Sequence, residues 1–195
     1  MDIVIRKAVP EDSPILAELM NIAGDGIPAV FWADMAEPGE EVMAVGARRV
    51  ARTEGGFSYT NVYVATLSGV IAGMLLGYRL PDTPETGQLE GYPPVIRPLA
   101  ELEALVPGAW YINAVAVVSQ HRGQGIGTRL MRYAEALAGE SSAGNLALIV
   151  AENNAQARTL YEKLGYAIIA RRPIVPYPAC PYTGDYVLMK KVIEK

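Results

Sequence analysis

The stretch SQHRGQGIGTRL, residues 119–130, places three glycines within five residues and has an arginine on each side of them. The preceding run, WYINAVAVV at residues 110–118, is almost wholly apolar, which is typical of a strand buried on both faces. Apolar residues recur at helical spacing after the glycines, from Ile126 to Leu137. The sequence therefore predicts a buried strand, a glycine-rich loop and a helix in direct succession, and this succession decides the fold.

The segment after this helix continues the alternation of strand and helix. Residues 146–151, LALIVA, predict a second buried strand. An apolar set at helical spacing then ends at Gly165, a residue type that favours the C-terminal cap of a helix. Residues 166–172 and 186–191 predict two closing strands.

The segment before the loop predicts one hairpin and several helices. Ser13 is expected to cap the first helix and Pro14 to open it, while Gly69 after Ser68 indicates a tight hairpin turn. The expected elements are a strand at residues 3–7, helices at 13–22, 27–35, 40–53 and 99–105, and hairpin strands at 61–66 and 70–80. All elements together predict an α/β fold with a single mixed, largely antiparallel twisted sheet flanked by helices.

Length and composition limit the classes of protein to which this chain can belong. With 195 residues, 51% of them hydrophobic and 19% charged, the chain is predicted to form one domain over residues 1–195. The formal net charge of −4 disfavours a general nucleic-acid role. A single cysteine, Cys180, excludes an intramolecular disulfide and indicates a reducing compartment. Because no apolar run approaches the roughly 20 residues of a membrane span, we expect a cytoplasmic protein without membrane partners.

The glycine loop lies between a strand and the start of a helix, a position that favours anion binding. Amides at a helix N-terminus lack intrahelical partners and lie at the positive end of the helix dipole. Gly123, Gly125 and Gly127 leave that backbone uncovered by side chains, and Arg122 and Arg129 add positive charge. An ordinary strand–helix turn is the alternative interpretation, and we favour a phosphate site.

Two nucleotide-binding patterns fail on this loop. The dinucleotide pattern G-x-G-x-x-G requires a third glycine where the chain has Thr128. The pattern G-x-x-x-x-G-K-[ST] occurs nowhere, because no lysine follows a glycine in the chain. NAD and ATP are therefore poor candidates for the phosphate ligand.

The spacing R-x-x-G-x-G at Arg122, Gly125 and Gly127 does fit a known pattern. It resembles that of the GNAT superfamily of acetyl-CoA-dependent N-acetyltransferases. Residues 115–117 have the form of the family's acetyl-CoA-binding strand, although Ser119 replaces a frequent proline. The residues that resemble the family's following helix and strand are Asn154, Ala157, Leu160, Tyr161, Leu164, Gly165 and Tyr166.

The resemblance implies the GNAT acyl-CoA N-acyltransferase fold and an acetyl-CoA site. The loop amides would bind the pyrophosphate, Arg122 would contact a phosphate or brace the loop, and the strand backbone would pair with the pantetheine arm. The implied cofactor-binding residues are Val115, Ala116, Val117, Arg122, Gly123, Gln124, Gly125, Ile126, Gly127, Thr128 and Asn154. Asn154 would contact the same arm through its side chain, whereas Asn153 with Gln156 fits a helix capping box.

Tyr161 is the catalytic residue that the resemblance implies. It lies seven residues beyond Asn154, so two helical turns return it to nearly the same helix face. In the family this tyrosine donates a proton to the departing CoA thiolate. A core aromatic residue in the apolar stripe of that helix is the alternative interpretation.

The general base is left unassigned by the sequence. Many family members carry a glutamate on the strand before the loop, but this chain has Tyr111, Ile112 and Asn113 there. Two alternatives stay open for the base: Glu152, acting directly or through water, and a water chain that ends at Asn113. For Glu152 the favoured interpretation is a solvent-exposed carboxylate. His121 is the chain's single histidine, so neither a metal site nor a Ser–His–Asp triad is expected.

The resemblance implies an N-acetyltransferase that transfers the acetyl group of acetyl-CoA to a primary amine of a small molecule or peptide by direct attack. It covers most of the chain except residues 21–53 and 81–108, which we expect on the acceptor side. Acidic residues in these segments either favour a cationic amine, such as a polyamine, an aminoglycoside or lysine, or solubilise loops. They are Asp25, Glu85, Glu90, Glu101 and Glu103.

Two questions stay open at this point. A non-catalytic acyl-CoA-binding module, used for sensing or partner contact, is the alternative function. A homodimer formed through Val118, Cys180 and the C-terminal strand is compatible with the sequence but not decided by it.

Overall fold

The computed structural model describes residues 2–84, 89, 91–178 and 180–193. Its strands are β1 Ile3–Lys7, β2 Val62–Leu67, β3 Val70–Arg79, β4 Trp110–Val117, β5 Asn145–Ala151, β6 Ala167–Pro173 and β7 Asp185–Val192. Its α-helices are α1 Ser13–Ala23, α2 Ile27–Ala33, α3 Val42–Val50, α4 Arg97–Glu103, α5 Ile126–Glu140 and α6 Ala155–Lys163. The elements predicted from the sequence are present, with boundaries shifted by a few residues.

The strands form a seven-stranded sheet in the order β1-β2-β3-β4-β5-β7-β6. β4 and β5 run parallel, whereas the β1–β2, β2–β3, β5–β7 and β6–β7 pairs are antiparallel. The parallel pair is joined by α5, since parallel strands need a crossover connection. This arrangement confirms the predicted mixed, largely antiparallel sheet flanked by helices.

The chain divides into two compact units. Unit 1 consists of Met1–Gly77 and Asn113–Ala134, and unit 2 consists of Tyr78–Ile112 and Glu135–Lys195. β3, β4 and α5 each contribute residues to both units. The expectation of one domain over residues 1–195 stays a prediction.

Unit 1 packs α1, α2 and α3 with the first strands of the chain. Its core includes Leu16, Leu19, Met20, Val45, Val64, Met74 and Ala116. The β2–β3 hairpin turns at Ser68 and Gly69, whose φ angles of 51° and 82° are the two positive values of a type I′ turn. Gly46 lets α3 approach Trp32, because a Cβ at this position would lie 2.6 Å from the indole ring.

Unit 2 is built on the β4–β5 ladder and on the antiparallel strands β7 and β6. The parallel ladder joins Trp110, Tyr111 and Ile112 to residues 146–148. α4 packs against β6 and β7. The core of this unit includes Leu80, Leu102, Val106, Ala109, Tyr111, Ala147, Tyr186 and Leu188.

The start of α1 differs from the prediction that Ser13 caps it. A 3₁₀ turn at Pro10–Asp12 runs directly into the helix, so Asp12 holds the cap position and Ser13 is already helical. The Asp12 carboxylate is bound by Arg6 at 2.7 and 2.9 Å and by the Val9 amide at 2.9 Å. These contacts hold the pKa of Asp12 below its usual range, with the Arg6 hydrogen bond as the main cause.

None of the helices within residues 2–84, 89, 91–178 and 180–193 combines the length and apolar character that a membrane span needs.

Candidate active site

The glycine loop of unit 1 follows a 3₁₀ turn at Ser119–His121 and leads into α5. Gly123 and Gly125 have φ angles of 75° and 77°, a region that side chains with a Cβ rarely adopt. A Cβ at either position would meet no atom within 4 Å. The backbone conformation, rather than crowding, therefore requires glycine here, and the space above the loop is open.

The first amides of α5 lie directly after these glycines. At the start of the helix the Arg129 amide donates to the Gly125 carbonyl at 3.0 Å. The amides of Ile126, Gly127 and Thr128 therefore precede the helical ladder and lie at the positive end of a 15-residue helix. Ile126 is buried and anchors the turn. This arrangement suits an anion with several oxygen acceptors.

Two arginines beside the loop are tied to strand backbone. Arg122 Nε donates to the Val117 carbonyl at 3.3 Å, which links the loop to the end of β4. Arg129 Nη1 donates to the Ile3 carbonyl at 3.4 Å, which links α5 to β1. Both side chains are exposed. Arg122 thus braces the loop, which is one of the two roles that the sequence analysis gave it. The rest of its side chain is exposed to solvent.

The strand segment predicted to bind pantetheine, Val115–Val117, forms the end of β4. Val115 and Val117 are half-buried, whereas Ala116 is buried in the core of unit 1. β4 pairs with β5 through Trp110, Tyr111 and Ile112, and the three residues of this segment follow that pairing along the strand. The Val118 amide donates to the Ala72 carbonyl at 2.9 Å and so binds this part of the strand to β3.

In unit 2, Asn154 is the N-terminal cap of α6. Its Oδ1 accepts a hydrogen bond from the Ala157 amide at 3.2 Å. The prediction that Asn153 caps this helix is wrong, because α6 begins one residue later than the pattern indicated. Asn153 instead donates from Nδ2 to the Thr183 carbonyl at 2.9 Å. The cap uses the Oδ1 atom of Asn154, and the Nδ2 group takes no part in it.

Tyr161 lies on α6, two turns after Asn154, and is half-buried. Its ring lies 6.1 Å from that of Tyr166, with an angle of 59° between the planes. Tyr166 is only 3% exposed, and its pKa is raised by burial above all, then by the charge of Glu135 and by Tyr161. Lys191 lies 5.9 Å above the Tyr166 ring and binds Glu135 at 2.8 Å. Tyr161 therefore rests against a fixed neighbour.

Glu152 lies at the start of the β5–α6 connection and faces an open surface concavity of about 330 Å³. Its carboxylate is 3.4 Å from Arg171 Nη2. The other residues around the concavity are Asn153, Ala155, Arg158, Thr159 and Glu162. This exposed ion pair agrees with the interpretation of Glu152 as a solvent-facing carboxylate.

Glu103, one of the acidic residues expected on the acceptor side, is a partly buried carboxyl at the end of α4. The Tyr111 hydroxyl donates a hydrogen bond to it, and burial, only partly offset by this bond, raises the pKa of Glu103 to about 7. The pKa of Tyr111 is also raised, by burial first and then by the charge of Glu103. The sequence did carry a signal, since Glu103 shares helical spacing i, i+3, i+4 and i+7 with Leu99, Leu102 and Val106.

The other acidic residues predicted near the acceptor differ in environment. Asp25 lies between α1 and α2 with a φ of 53°, and burial raises its pKa to about 6. Glu101 binds Arg172 at 2.6 Å, which neutralises its charge. Glu85 and Glu90 lie outside the described residues.

Comparison with known proteins identifies the family. The model of the Acetyltransferase (GNAT) family matches residues 47–166. N-alpha-acetyltransferase 40 from Saccharomyces cerevisiae is 36% identical over 127 residues, which cover 62% of this chain and 40% of that protein. Streptothricin acetyltransferase from Streptomyces lavendulae is 41% identical over 73 residues, which cover 35% of this chain and 39% of that protein. The matched chain thus spans about two fifths of the length of these relatives.

A solved structure shares the fold over nearly the whole chain. Drosophila melanogaster polyamine N-acetyltransferase, which catalyses the formation of N-acetylagmatine, matches with a TM-score of 0.70 at 17% identity. The match covers 98% of this chain and 100% of that chain. At this identity the likeness concerns the fold.

Proposed function

The chain belongs to the GNAT acetyltransferase family, and we propose that it transfers the acetyl group of acetyl-CoA to a primary amine of a small molecule or a peptide. The observation that carries the proposal is the loop of unit 1, where two glycines with positive φ lead into the N-terminus of α5. The matched relatives support the reaction class, and their partial coverage leaves the activity and the acceptor of this chain to experiment.

The loop residues fit the phosphates of acetyl-CoA. The amides at the start of a long helix can donate hydrogen bonds to a pyrophosphate. No charged side chain has to be buried to supply these donors. The space above Gly123 and Gly125 is open, so the phosphate can approach the backbone from Gly123 to Thr128 closely. Arg122 holds the loop against β4 through one N–H and offers its other donors to phosphate oxygens.

Two further elements fit the pantetheine arm. An extended amide chain can pair with the backbone of Val115, Ala116 and Val117 as an added strand does. Asn154 Nδ2 is a donor for an amide carbonyl of the same arm, because only Oδ1 is used in capping α6. The strand contact is proposed on the residues of unit 1, and the Asn154 contact on the residues of unit 2.

Tyr161 is proposed to supply the proton for the leaving sulfur. Acetyl-CoA, when bound, supplies an activated thioester, and a neutral amine attacks it directly without a covalent enzyme intermediate. The departing thiolate needs a proton, and the Tyr161 hydroxyl on α6 donates it. The contact with Tyr166 limits the positions that the Tyr161 ring can take.

The acceptor is proposed to be an amine that is positively charged in solution. By their names, the two matched relatives act on an N-alpha group and on streptothricin, and the structural neighbour forms N-acetylagmatine. The partly buried carboxyl of Asp25, in the connection between α1 and α2, supports a cationic acceptor.

Thermal unfolding with acetyl-CoA, CoA, NAD and ATP side by side tests the cofactor. A ligand at about 100 times its Kd stabilises the native state by roughly 2.7 kcal/mol. We expect a shift in Tm with acetyl-CoA and CoA alone. A shift with only NAD or ATP, or with none of the four, would refute the proposed cofactor.

A panel of peptides with free N-termini, polyamines and aminoglycosides then tests the transfer. Release of free CoA thiol, followed with a thiol reagent, measures turnover. Turnover with at least one amine supports the transferase. Tight CoA binding without turnover across the panel would support the non-catalytic acyl-CoA-binding module instead.

A further inference from the structure

Unit 2 contains a mostly enclosed ion pair to which the proposed function gives no role. Lys191 of β7 binds Glu135 of α5, with 2.8 Å between Nζ and Oε1, and the two side chains are only 27% and 28% exposed. Both residues belong to unit 2. Ion pairs in full contact with water hold their side chains weakly, because solvent and salt screen the attraction. The enclosure of this pair restricts both side chains and fixes the path of the Lys191 stem.

The Lys191 side chain lies over the C-terminal end of α6. A Cβ at Gly165, which follows the C-cap of this helix, would lie 3.8 Å from Lys191 Cε. The Lys191 Nζ atom lies over the Tyr166 ring, 5.9 Å from its centroid. An ammonium group within about 6 Å of an aromatic face is attracted to the ring. Together with Glu135, Lys191 therefore restrains the ring of Tyr166.

Tyr166 in turn holds Tyr161 through both backbone and ring. The Tyr166 amide donates to the Tyr161 carbonyl at 3.0 Å, and the Leu164 amide donates to the same carbonyl at 3.0 Å. The two tyrosine rings lie 6.1 Å apart. Because Tyr166 is buried, its ring cannot leave this contact without a rearrangement of the core. The orientation of Tyr161 thus depends on Tyr166 and, through it, on the ion pair.

The ion pair also stabilises the fold, since a cation near the C-terminus of a helix interacts favourably with the helix dipole. Stabilisation and positioning have different consequences for the reaction. Stabilisation acts on folding whether or not residue 161 carries a hydroxyl. Positioning affects the rate only while that hydroxyl is present, so removal of the hydroxyl separates the two roles.

We propose that Tyr166, Lys191 and Glu135 are positioning residues that hold the Tyr161 hydroxyl in the orientation in which it protonates the departing sulfur. This inference rests on the proposed function, in which Tyr161 is the proton donor. The ring of Tyr166 acts by direct packing, and the ion pair acts by restraining that ring. A misplacement of about 1 Å can lower an enzymatic rate by about 10²-fold, so a small rotation of the phenol has a measurable effect.

The test measures kcat and the Kd for acetyl-CoA of each variant in the wild-type and in the Tyr161→Phe background. The acceptor is an amine from the panel that wild type acetylates. Tyr166→Leu removes the ring, and Tyr166→Phe is its conservative counterpart because it keeps the ring. Lys191→Met removes the charge and keeps a long apolar stem. Lys190→Met is the matched control for the charge, because Lys190 projects to the opposite side of β7.

In the wild-type background, Tyr166→Leu is expected to lower kcat by about 10-fold and Lys191→Met by about three- to tenfold. The Kd for acetyl-CoA should stay within a factor of about two, because positioning acts on the chemical step. Tyr166→Phe should retain the kcat that Tyr166→Leu loses, and Lys190→Met should behave as wild type. In the Tyr161→Phe background, neither Tyr166→Leu nor Lys191→Met should lower kcat further, because no hydroxyl is left to position.

Glu135→Gln breaks the same ion pair with a smaller change of shape, and it replaces any variant that circular dichroism shows to be unfolded at the assay temperature. A fall in kcat that is equally large in both backgrounds, or no fall at all, would overturn the inference and leave Tyr161 as the proton donor. A Tyr161→Phe protein with the wild-type kcat would overturn the role of Tyr161 and the inference with it. Wild type that binds acetyl-CoA but acetylates no amine of the panel would overturn the proposed transfer as well.

Discussion

The ring of Tyr161 lies 6.1 Å from that of Tyr166, at 59° between the planes, and the two phenols have different surroundings. Tyr161 is half-buried on α6, whereas the Tyr166 hydroxyl is buried and has no hydrogen-bond partner within the described residues. The pair therefore offers a matched comparison, since one hydroxyl is proposed to act and the other is enclosed.

Replacement of Tyr161 by phenylalanine is expected to lower kcat by roughly 10²-fold, because the thiolate loses its proton donor. The Kd for acetyl-CoA should stay within a factor of about two to three, since the ring and its packing are kept. Steady-state kinetics and thermal-shift titration measure the two quantities. Equal activity of wild type and Tyr161→Phe would show that the hydroxyl has no catalytic role.

The control for this experiment is Tyr166→Phe. Removal of a buried hydroxyl without a partner is expected to leave the free energy of unfolding unchanged or to raise it by about 1 kcal/mol. Its activity should match wild type. A large loss of activity in this control would mean that Tyr161→Phe acts through packing between the rings.

Replacement of Gly125 by alanine is expected to destabilise the protein by about 1–2 kcal/mol, because the φ of 77° is strained for a residue with a Cβ. Acetyl-CoA binding should weaken as well, since the loop amides would shift. Gly139→Ala is the control, because Gly139 lies near the end of the same helix with open space around it. That substitution should stabilise the protein by about 0.5–1 kcal/mol in urea unfolding and leave binding unchanged.

The capping and ligand roles of Asn154 can be separated by two substitutions. Asn154→Asp keeps an oxygen for the Ala157 amide but loses the Nδ2 donor, so stability should hold while acetyl-CoA binding weakens. Asn154→Ala loses both groups and should cost about 1 kcal/mol of stability in addition. Urea unfolding and acetyl-CoA titration report the two effects. Binding that is intact in Asn154→Asp would restrict Asn154 to capping.

Local patterns were sufficient to predict the strands, the hairpin at Ser68 and Gly69 and the glycine loop, because each depends on a few adjacent residues. The cap of α6 was misplaced by one residue, since Asn153 and Asn154 are equally good caps in sequence. Backbone hydrogen bonds to Ala151 and Asn153 decide where that helix begins. The start of α1 was also misplaced by one residue. Asp12, rather than Ser13, holds the cap position, and its carboxylate is bound by Arg6 of β1, a contact that the local pattern at residues 12–14 does not contain.

The glycine loop was predicted because a single segment carries its residues, whereas the contact between Glu103 and Tyr111 was missed because two segments form it. Arg122 and the glycines belong to one loop, so their spacing was informative. Glu103 and Tyr111 come from a helix and a strand that only the folded chain brings together. Strand and helix periodicity describes each element separately and contains no information on this contact.

The partial burial of the Glu103 carboxyl predicts that the stability of the protein depends on pH. Its pKa rises from 4.5 when unfolded to about 7 when folded, so the native state binds more protons between these values. Wild-type stability should therefore fall as pH rises from about 4.5 through about 7, because burial disfavours the ionised form. Glu103→Gln removes this ionisation and should be more stable than wild type above pH 7, by roughly 3 kcal/mol at most.

Thermal unfolding of wild type, Glu103→Gln and Glu101→Gln at pH 5 and pH 8.5 measures this effect. The Tm difference between Glu103→Gln and wild type should be small at pH 5 and large at pH 8.5. Glu101→Gln should instead be slightly destabilised at both pH values, because it loses a half-exposed ion pair with Arg172. A Glu103→Gln difference that is the same at both pH values would show that Glu103 is ionised in the folded protein throughout this range.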